Sequence, residues 1–202
     1  MEYPQSFWDE RYAVEEYIFG ESPNDFLVEC VSTIPAGVAF GLGEGEGRNG
    51  VWLAARGFTV RGIDLSPLGI AKAQRLAARS GVTLDLVAGD LATLELEPGS
   101  YDLIYSVFAH TPPQVRAHAH RQAVAALRPG GHFVLEAYQP AQLGRGTGGP
   151  QDPELLVPLA AVQEELDGLE MLIGREIERA VLEGDRHTGV AAVTQVFARK
   201  VG

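Results

Sequence analysis

The sequence predicts an α/β fold with a doubly wound, Rossmann-like sheet that is mostly parallel. Short apolar runs typical of strands alternate with longer stretches of helical periodicity, and glycine or proline lies in the turns between them. This alternation is typical of parallel strands joined by helical crossovers. The last two apolar runs are separated by too few residues for a helical crossover, so they predict an antiparallel hairpin at the end of the sheet.

Seven segments have the composition of strands. In chain order they are 38–42, 59–64, 83–87, 101–106, 132–138, 173–183 and 190–201. Helical patterns cover 6–17, 25 to about 33, 50–56, 67–78, the segment around His118 and His120, and 154 to about 166. Two helix starts are marked by capping residues, Asn24 in one case and Ser66 followed by Pro67 in the other.

Composition limits the classes of partner. The 202 residues carry 16 basic and 27 acidic side chains, a net charge of −11, and no run of Lys or Arg that would bind a polyanion. No apolar stretch approaches the roughly 20 residues that span a bilayer, and the first residues do not resemble a signal peptide. Cys30 is the single cysteine, so an internal disulfide is excluded. We therefore expect a cytoplasmic protein that binds neither nucleic acid nor membrane.

A glycine-rich turn follows the first predicted strand. Gly43, Gly45 and Gly47 alternate there, which lets a ligand approach the backbone at the start of the next helix, where N–H groups lack helical partners. Asp64 ends the second predicted strand 21 residues after Gly43, close to the spacing of a ribose-binding carboxylate. Ser66 already caps the following helix, so Asp64 is available to a ligand.

These motifs continue along the chain in a recognisable order. Further segments with matching composition are Val87–Leu91, Tyr101–Ser106 and Leu127–Gly131. In this order the chain resembles the class I S-adenosylmethionine (SAM) dependent methyltransferases, and the segments Trp8–Tyr12, Phe19–Gly20 and Pro23–Leu27 resemble their small bacterial tellurite-resistance (TehB-like) branch. The resemblance implies a seven-stranded sheet with the last strand reversed, SAM as cofactor, S-adenosylhomocysteine (SAH) as product, and no metal.

The resemblance also implies which residues contact the cofactor. They are Gly43, Glu44, Gly45, Gly47, Asn49, Asp64, Leu65, Asp90, Leu91, Ser106 and Val107. One departure concerns Gly41, where family members usually carry an acid. We expect Glu44 to supply that negative charge from a shifted position.

The acceptor side is less well defined. The Asn/Asp-Pro-Pro-aromatic motif of many nitrogen-directed methyltransferases is absent after the fourth strand, and His110 is the candidate catalytic residue there; a structural hydrogen-bonding role stays open. The spacing of His118 and His120 places them on different helix faces, which disfavours a metal pair. The candidate substrate-binding residues are Trp8, Arg11, Tyr12, Phe19, His110, Tyr138, Arg145 and His187, with Arg186 as a further residue that could close the pocket.

The sequence therefore predicts one methyltransferase domain over 1–202. It would comprise an N-terminal helical lid (1–35), a cofactor-binding core (36–138), and a substrate-side loop, helix and hairpin (139–202). The acceptor would be a small molecule, such as a thiol or a tellurium or selenium species, and the protein a monomer or homodimer. An NAD(P)-dependent oxidoreductase and an inactive SAM-binding protein remain alternatives, although the oxidoreductase motif would require glycine where Arg48 stands.

Overall fold

The computed structural model describes residues 3–184 and 187–202. Seven strands form one sheet in the order β3-β2-β1-β4-β5-β7-β6. Their bounds are β1 Val38–Leu42, β2 Thr59–Asp64, β3 Asp85–Ala88, β4 Tyr101–Val107, β5 Leu127–Tyr138, β6 Leu169–Glu183 and β7 His187–Lys200. β1 to β5 pair in parallel, whereas β7 runs antiparallel to both of its neighbours, β5 and β6. The predicted seven-stranded, mostly parallel fold is therefore confirmed.

Six α-helices are described. They are α1 Gln5–Tyr12, α2 Asp25–Val31, α3 Arg48–Ala54, α4 Pro67–Arg79, α5 Pro113–Ala126 and α6 Leu159–Glu165. Both predicted N-caps are confirmed: the Asn24 side chain accepts a hydrogen bond from Leu27 N, and the Ser66 hydroxyl accepts one from Gly69 N. Within the described ranges, no helix combines the length and apolar character needed to cross a membrane.

The sheet has an apolar layer on each face because successive strand residues point to opposite sides. On one face Phe40, Ile104 and Leu135 pack with α5 and α6 residues. On the other face their neighbours Ala39, Leu103 and Val134 pack with a cluster that includes Phe26 and Cys30. These two layers fix the carboxyl ends of β1, β2 and β4, where the glycine-rich turn and Asp64 lie.

The bounds of five predicted segments, two helices and three strands, were wrong by three residues or more. The helix predicted at 154–166 is only Leu159–Glu165, because Val157 N donates to Tyr138 O at 2.9 Å and Pro158 is the extended N-cap residue of the helix. The helix predicted at 6–17 ends at Tyr12, and beyond it the carbonyls of Val14 and Glu16 accept hydrogen bonds from Lys72. Strand β5 begins at Leu127 rather than at 132, and the hairpin strands also begin earlier than predicted, at Leu169 and His187.

Candidate functional site

A cavity of about 720 Å³ opens at the carboxyl ends of the parallel strands, beneath the N-terminal segment. The predicted site residues that line it are Trp8, Arg11, Tyr12, Phe19, Gly43, Glu44, Gly45, Asn49, Asp64, Leu65, Asp90, Leu91, Val107, His110 and His187. Four predicted residues do not line it, namely Gly47, Ser106, Tyr138 and Arg145. Arg186 lies outside the described residues. One cavity thus brings together most residues assigned to the cofactor and to the acceptor.

The glycine-rich turn is fixed to the end of β2. The N–H groups of Gly43 and Glu44 both donate to Ile63 O at 3.0 Å, and Gly45 N donates to Asp64 Oδ2 at 2.7 Å. Asp64 Oδ1 accepts from Ser66 N at 2.9 Å, and burial raises the pKa of Asp64 to about 6. Asp64 therefore shapes the turn as well as presenting a carboxylate to the cavity.

Each glycine of the turn meets a different neighbour. A Cβ on Gly43 would lie 2.8 Å from Ala109 Cβ, and one on Gly45 would lie 3.0 Å from Tyr12 Oη. A Cβ on Gly47 would lie 2.6 Å from Ala73 Cβ on α4, and Gly47 adopts φ +88°. Gly47 therefore permits close packing of α3 on α4, which explains why it lies away from the cavity.

Glu44 is buried beneath the turn. Its carboxylate accepts hydrogen bonds from Gly50 N at 2.7 Å and from Tyr105 Oη at 2.6 Å. Burial raises the pKa of Glu44 to about 7, since these hydrogen bonds offset only part of the cost of burying the charge. The carboxylate thus supports the start of α3 and also borders the cavity.

The far end of the cavity is formed by the turn after β3. Asp90 Oδ1 accepts from Ala92 N at 2.8 Å, which orders this turn, and Leu65 and Leu91 line the wall beside it. Gly89, which belongs to the predicted Val87–Leu91 motif but was not among the predicted contacts, also lines the cavity: an added Cβ would lie 2.9 Å from Ile63 Cδ1. This end offers apolar walls with a carboxylate at the rim.

The N-terminal segment covers the cavity as a lid. Tyr12 is buried between the glycine turn and α4, and the Trp8 ring stacks on it with centroids 5.9 Å apart. Asn24 N donates to Asn49 Oδ1 at 2.9 Å. The buried Lys72 ammonium donates to Val14 O at 2.9 Å and lies 2.6 Å from Glu46 Oε1, so the lid is tied to both α3 and α4.

Aromatic rings form the wall of the cavity beside His187, one of the predicted acceptor residues. Phe19 and Phe108 lie 4.6 and 4.7 Å from the His187 ring, and Tyr138 lies 4.6 Å from Phe108, measured between centroids. Tyr138 supports this cluster from behind rather than lining the cavity. Burial, with the positive charges of Arg48 and Arg11, lowers the pKa of His187 to about 3, so this imidazole is neutral at physiological pH.

His110 is held between backbone groups. Its Nδ1 lies 2.9 Å from Leu155 O, and its Nε2 lies 3.4 Å from Tyr138 N. With Nδ1 protonated, the ring donates to the carbonyl and accepts from the N–H group. Burial lowers the pKa of His110 to about 4. This geometry fits the structural alternative that the sequence left open, and a catalytic role stays a prediction.

The arginines near the site differ in their partners. Arg48 Nη2 lies 2.5 Å from Glu183 Oε2, and Arg145 Nη2 lies 2.7 Å from Glu178 Oε1 on the outer strand β6. Arg11 lines the cavity, stacks over the Phe7 ring at 4.2 Å, and has no ion-pair partner among residues 3–184 and 187–202. The loop at 139–153 contributes glycine backbone to the wall rather than Arg145.

The central part of the chain matches a known protein family. Residues 40–131, from β1 to the start of β5, match the family model described as "Methyltransferase domain". This segment is similar to methyltransferase domains. It contains the glycine turn, Asp64, Asp90 and His110, while the lid and the hairpin lie outside the matched range.

The curated relatives of this chain are partial matches. The chain is 33% identical to hemagglutinin 1 of Eikenella corrodens over 113 residues, which cover 53% of this chain and 36% of that protein. It is 31% identical to carboxy-S-adenosyl-L-methionine synthase of Chromohalobacter salexigens over 80 residues, 39% of this chain and 30% of that protein. The chain thus spans about a third of the length of the curated relatives it matches.

Solved structures share the fold over almost the whole chain. A structure described for the conversion of a disulfide bond into a thioacetal group during echinomycin biosynthesis is 18% identical, with a TM-score of 0.74 and coverage of 98% of this chain and 92% of that one. TehB from Haemophilus influenzae is 17% identical, with a TM-score of 0.72 and coverage of 97% and 66%. Magnesium protoporphyrin IX methyltransferase from Synechocystis, solved with bound SAH, is 18% identical, with a TM-score of 0.64 and coverage of 97% and 82%. The fold is therefore that of SAM-dependent methyltransferases.

Proposed function

We propose that this protein transfers a methyl group from SAM to a small-molecule acceptor with a soft nucleophile, such as a thiol or a selenium or tellurium species. The observation that carries the proposal is the shared cavity, in which the glycine turn and Asp64 of the methyltransferase domain meet the lid and the aromatic wall. The similarity to TehB over most of the chain supports placing the protein in the TehB-like branch.

The cofactor half fits SAM. Gly43 and Gly45 keep side chains out of the turn, and the Asp64 carboxylate at the wall can accept hydrogen bonds from ribose hydroxyls in addition to those from the chain. Asp90 and Leu91 would border the adenine. When bound, SAM supplies a methyl group on a positive sulfur; the acceptor's lone pair bonds the methyl carbon, and the electron pair of the broken C–S bond stays on the sulfur of SAH.

The acceptor half favours a nucleophile that needs no general base. His110 is engaged by two backbone groups, and burial keeps His187 neutral with a pKa too low for a base at neutral pH. A thiol reacts through its thiolate fraction, whose proton has already passed to water, and the attacking atom of a selenium or tellurium oxyanion carries no proton, so neither needs a base in the protein. Arg11 supplies a positive charge without a carboxylate partner in the described chain, which suits an anionic acceptor.

The chain contributes to the reaction by positioning the two reactants and by excluding water. The lid residues Trp8 and Tyr12 cover the turn, and the Phe19, Phe108 and His187 rings enclose the acceptor side with apolar surface. Holding the two reactants in line is a major source of rate enhancement in bimolecular transfers. A dry site also protects the reactive methyl group from hydrolysis.

Titration calorimetry with SAH and with NADH tests the cofactor assignment. We expect SAH to bind, NADH not to bind, and Asp64→Asn to weaken SAH binding about 10- to 100-fold, as for the loss of a charged hydrogen bond. The matched control is Asp85→Asn, since Asp85 lies on the exposed outer part of β3 away from the cavity. Binding of NADH alone would replace this proposal with the oxidoreductase alternative.

The acceptor is tested by SAH formation with 2-mercaptoethanol, thiophenol, selenite and tellurite. We expect SAH release that depends on at least one of these acceptors. Arg11→Gln should lower the turnover of the anionic acceptors, whereas the affinity of the protein for SAH should change less. SAH binding with no turnover of any of these acceptors would favour the inactive SAM-binding protein.

A further inference from the structure

Phe108 has a backbone conformation that a bulky residue rarely adopts. Its φ is +53°, and it is the one non-glycine residue with a positive φ in the part of the chain that the structure describes. The left-handed region brings Cβ of an L-residue too close to its own backbone, so a phenylalanine there is strained. Such strain persists where the surrounding structure enforces it, and it is concentrated at functional sites.

The strained residue turns the chain at the end of β4. Phe108 N donates to Glu136 O at 2.7 Å, which ends the pairing with β5. The next residue, Ala109, then packs on the glycine turn, because its Cβ lies 2.8 Å from the position of a Cβ on Gly43. The turn therefore joins the cofactor half to the acceptor half of the cavity.

The Phe108 ring lies on the acceptor side of this turn. Its centroid is 4.7 Å from that of His187 and 4.6 Å from that of Tyr138, and the side chain is buried apart from the surface that faces the cavity. A glycine would adopt the same backbone without strain, but it would leave this wall without a ring. The phenylalanine therefore places a ring in the cavity wall, and the backbone strain is the cost of that ring.

We propose that Phe108 determines the size of the methyl acceptor. Its ring closes the acceptor half next to the glycine turn, so that small acceptors reach the cofactor half and bulky aromatic ones are excluded. This inference rests on the proposed methyltransferase function. A smaller side chain at this position would extend the acceptor half toward Tyr138.

The test compares Phe108→Ala and Phe108→Gly with the wild type, using 2-mercaptoethanol as the small thiol and 2-naphthalenethiol as the bulky one. Both variants should raise kcat/KM for the bulky thiol relative to the small one at least tenfold, since even one methylene group changes discrimination about 10- to 200-fold. The SAH dissociation constant should change less than threefold. The glycine variant should unfold at a higher temperature than the alanine variant, because it alone relieves the left-handed strain.

Two further variants distinguish loss of the Phe108 ring from general destabilisation of the protein. Phe58→Leu removes a buried ring at the start of β2, outside the cavity, and should leave the thiol ratio unchanged. Phe108→Leu is the conservative counterpart if the smaller variants do not fold, and it should still raise the ratio.

Binding of both thiols to the SAH-loaded protein is measured in parallel by calorimetry, so size selection is read even if no methyl group is transferred. Failure of transfer with a retained shift in binding selectivity would count against the proposed function alone. A thiol ratio within threefold of the wild type in all Phe108 variants, by turnover and by binding, would overturn the role of Phe108.

Discussion

The Glu44 carboxylate occupies the space that a side chain at position 41 would need. A Cβ on Gly41 would lie 2.1 Å from Glu44 Oε2, and a Cβ on Gly50 would lie 2.4 Å from Glu44 Oε1. The two glycines therefore form a slot for this carboxylate, which Gly50 N and Tyr105 Oη complete with hydrogen bonds. The two glycines thus leave room for the Glu44 side chain, and the expectation that Glu44 supplies the negative charge usual at position 41 stays a prediction.

A double-mutant cycle measures this relationship. Gly41→Ala should lower the free energy of unfolding by about 1 to 3 kcal/mol, the usual cost of overpacking a tight site. In the Glu44→Ala background the same substitution should cost less, since the nearest atom to the added Cβ is removed, although Tyr105 Oη and Cζ at 2.8 and 2.9 Å still crowd it. Urea unfolding should give a coupling energy of about 0.5 to 3 kcal/mol. Strictly additive effects would show that the two positions do not compete for space.

The pH dependence of stability should report the burial of Glu44. Its pKa is about 7 in the folded protein against an ordinary value of 4.5, so between these pH values the folded state binds more protons than the unfolded state. Stability contributed by this group therefore falls as the pH rises from 4.5 to 7, by about 1.4 kcal/mol for each unit of pKa difference.

The variant Glu44→Gln removes this titration and keeps groups able to hydrogen-bond Gly50 N and Tyr105 Oη. Asp64 and the buried histidines titrate in both proteins, so the difference between the two reports Glu44 together with its interaction with Asp64. Relative to the wild type, Glu44→Gln should gain stability between pH 5 and pH 8 in urea unfolding. A constant difference across this range would mean that Glu44 ionises normally.

The sequence predicted the part of the site that depends on backbone requirements. The sequence could predict three residues of the cavity because glycines in a turn and an acid at the end of a strand occur at a fixed spacing. These residues are Gly43, Gly45 and Asp64. The role of Phe108 could not be predicted from the sequence. Its positive φ depends on tertiary contacts, namely the hydrogen bond of Phe108 N to Glu136 O and the packing of Ala109 on Gly43.

The direction of long side chains likewise depends on tertiary contacts and could not be predicted from the sequence. Arg145 lies in a loop that borders the cavity, yet its guanidinium pairs with Glu178 on the outer strand. The partner is 33 positions away in the chain, and only the register of the hairpin brings it close. Similarly, the early end of α1 depends on the buried Lys72, whose need for carbonyl partners outweighs the helical pattern of the residues after Tyr12.

Substitution of His110 distinguishes a structural from a catalytic role. His110→Ala should lower the free energy of unfolding by about 1 to 3 kcal/mol, because the carbonyl of Leu155 loses its buried donor. His110→Asn should recover part of this loss, since its amide can donate from a position close to Nδ1. The pH profile of turnover should keep its shape in His110→Asn. Loss of turnover in that variant at unchanged stability and SAH affinity would instead assign His110 as the base.

The lid and the hairpin meet at two glycines, and this contact should control lid opening. A Cβ on Gly184 would lie 2.3 Å from Ile18 O and 2.6 Å from Gly20 N. Gly184→Ala should therefore separate the lid from the hairpin and speed tryptic cleavage after Arg11 about tenfold, which corresponds to about 1.4 kcal/mol of lost lid stability.

The matched control for the lid is Gly81→Ala. Gly81 has φ +69°, close to the +66° of Gly184, but an added Cβ would meet nothing within 4 Å. Both substitutions place alanine in left-handed backbone and carry a similar strain, whereas only Gly184→Ala introduces a clash with the lid. Cleavage after Arg11 should thus stay near the wild-type rate in Gly81→Ala. Equal acceleration in both variants would indicate that overall destabilisation, rather than the contact between lid and hairpin, governs access to the cavity.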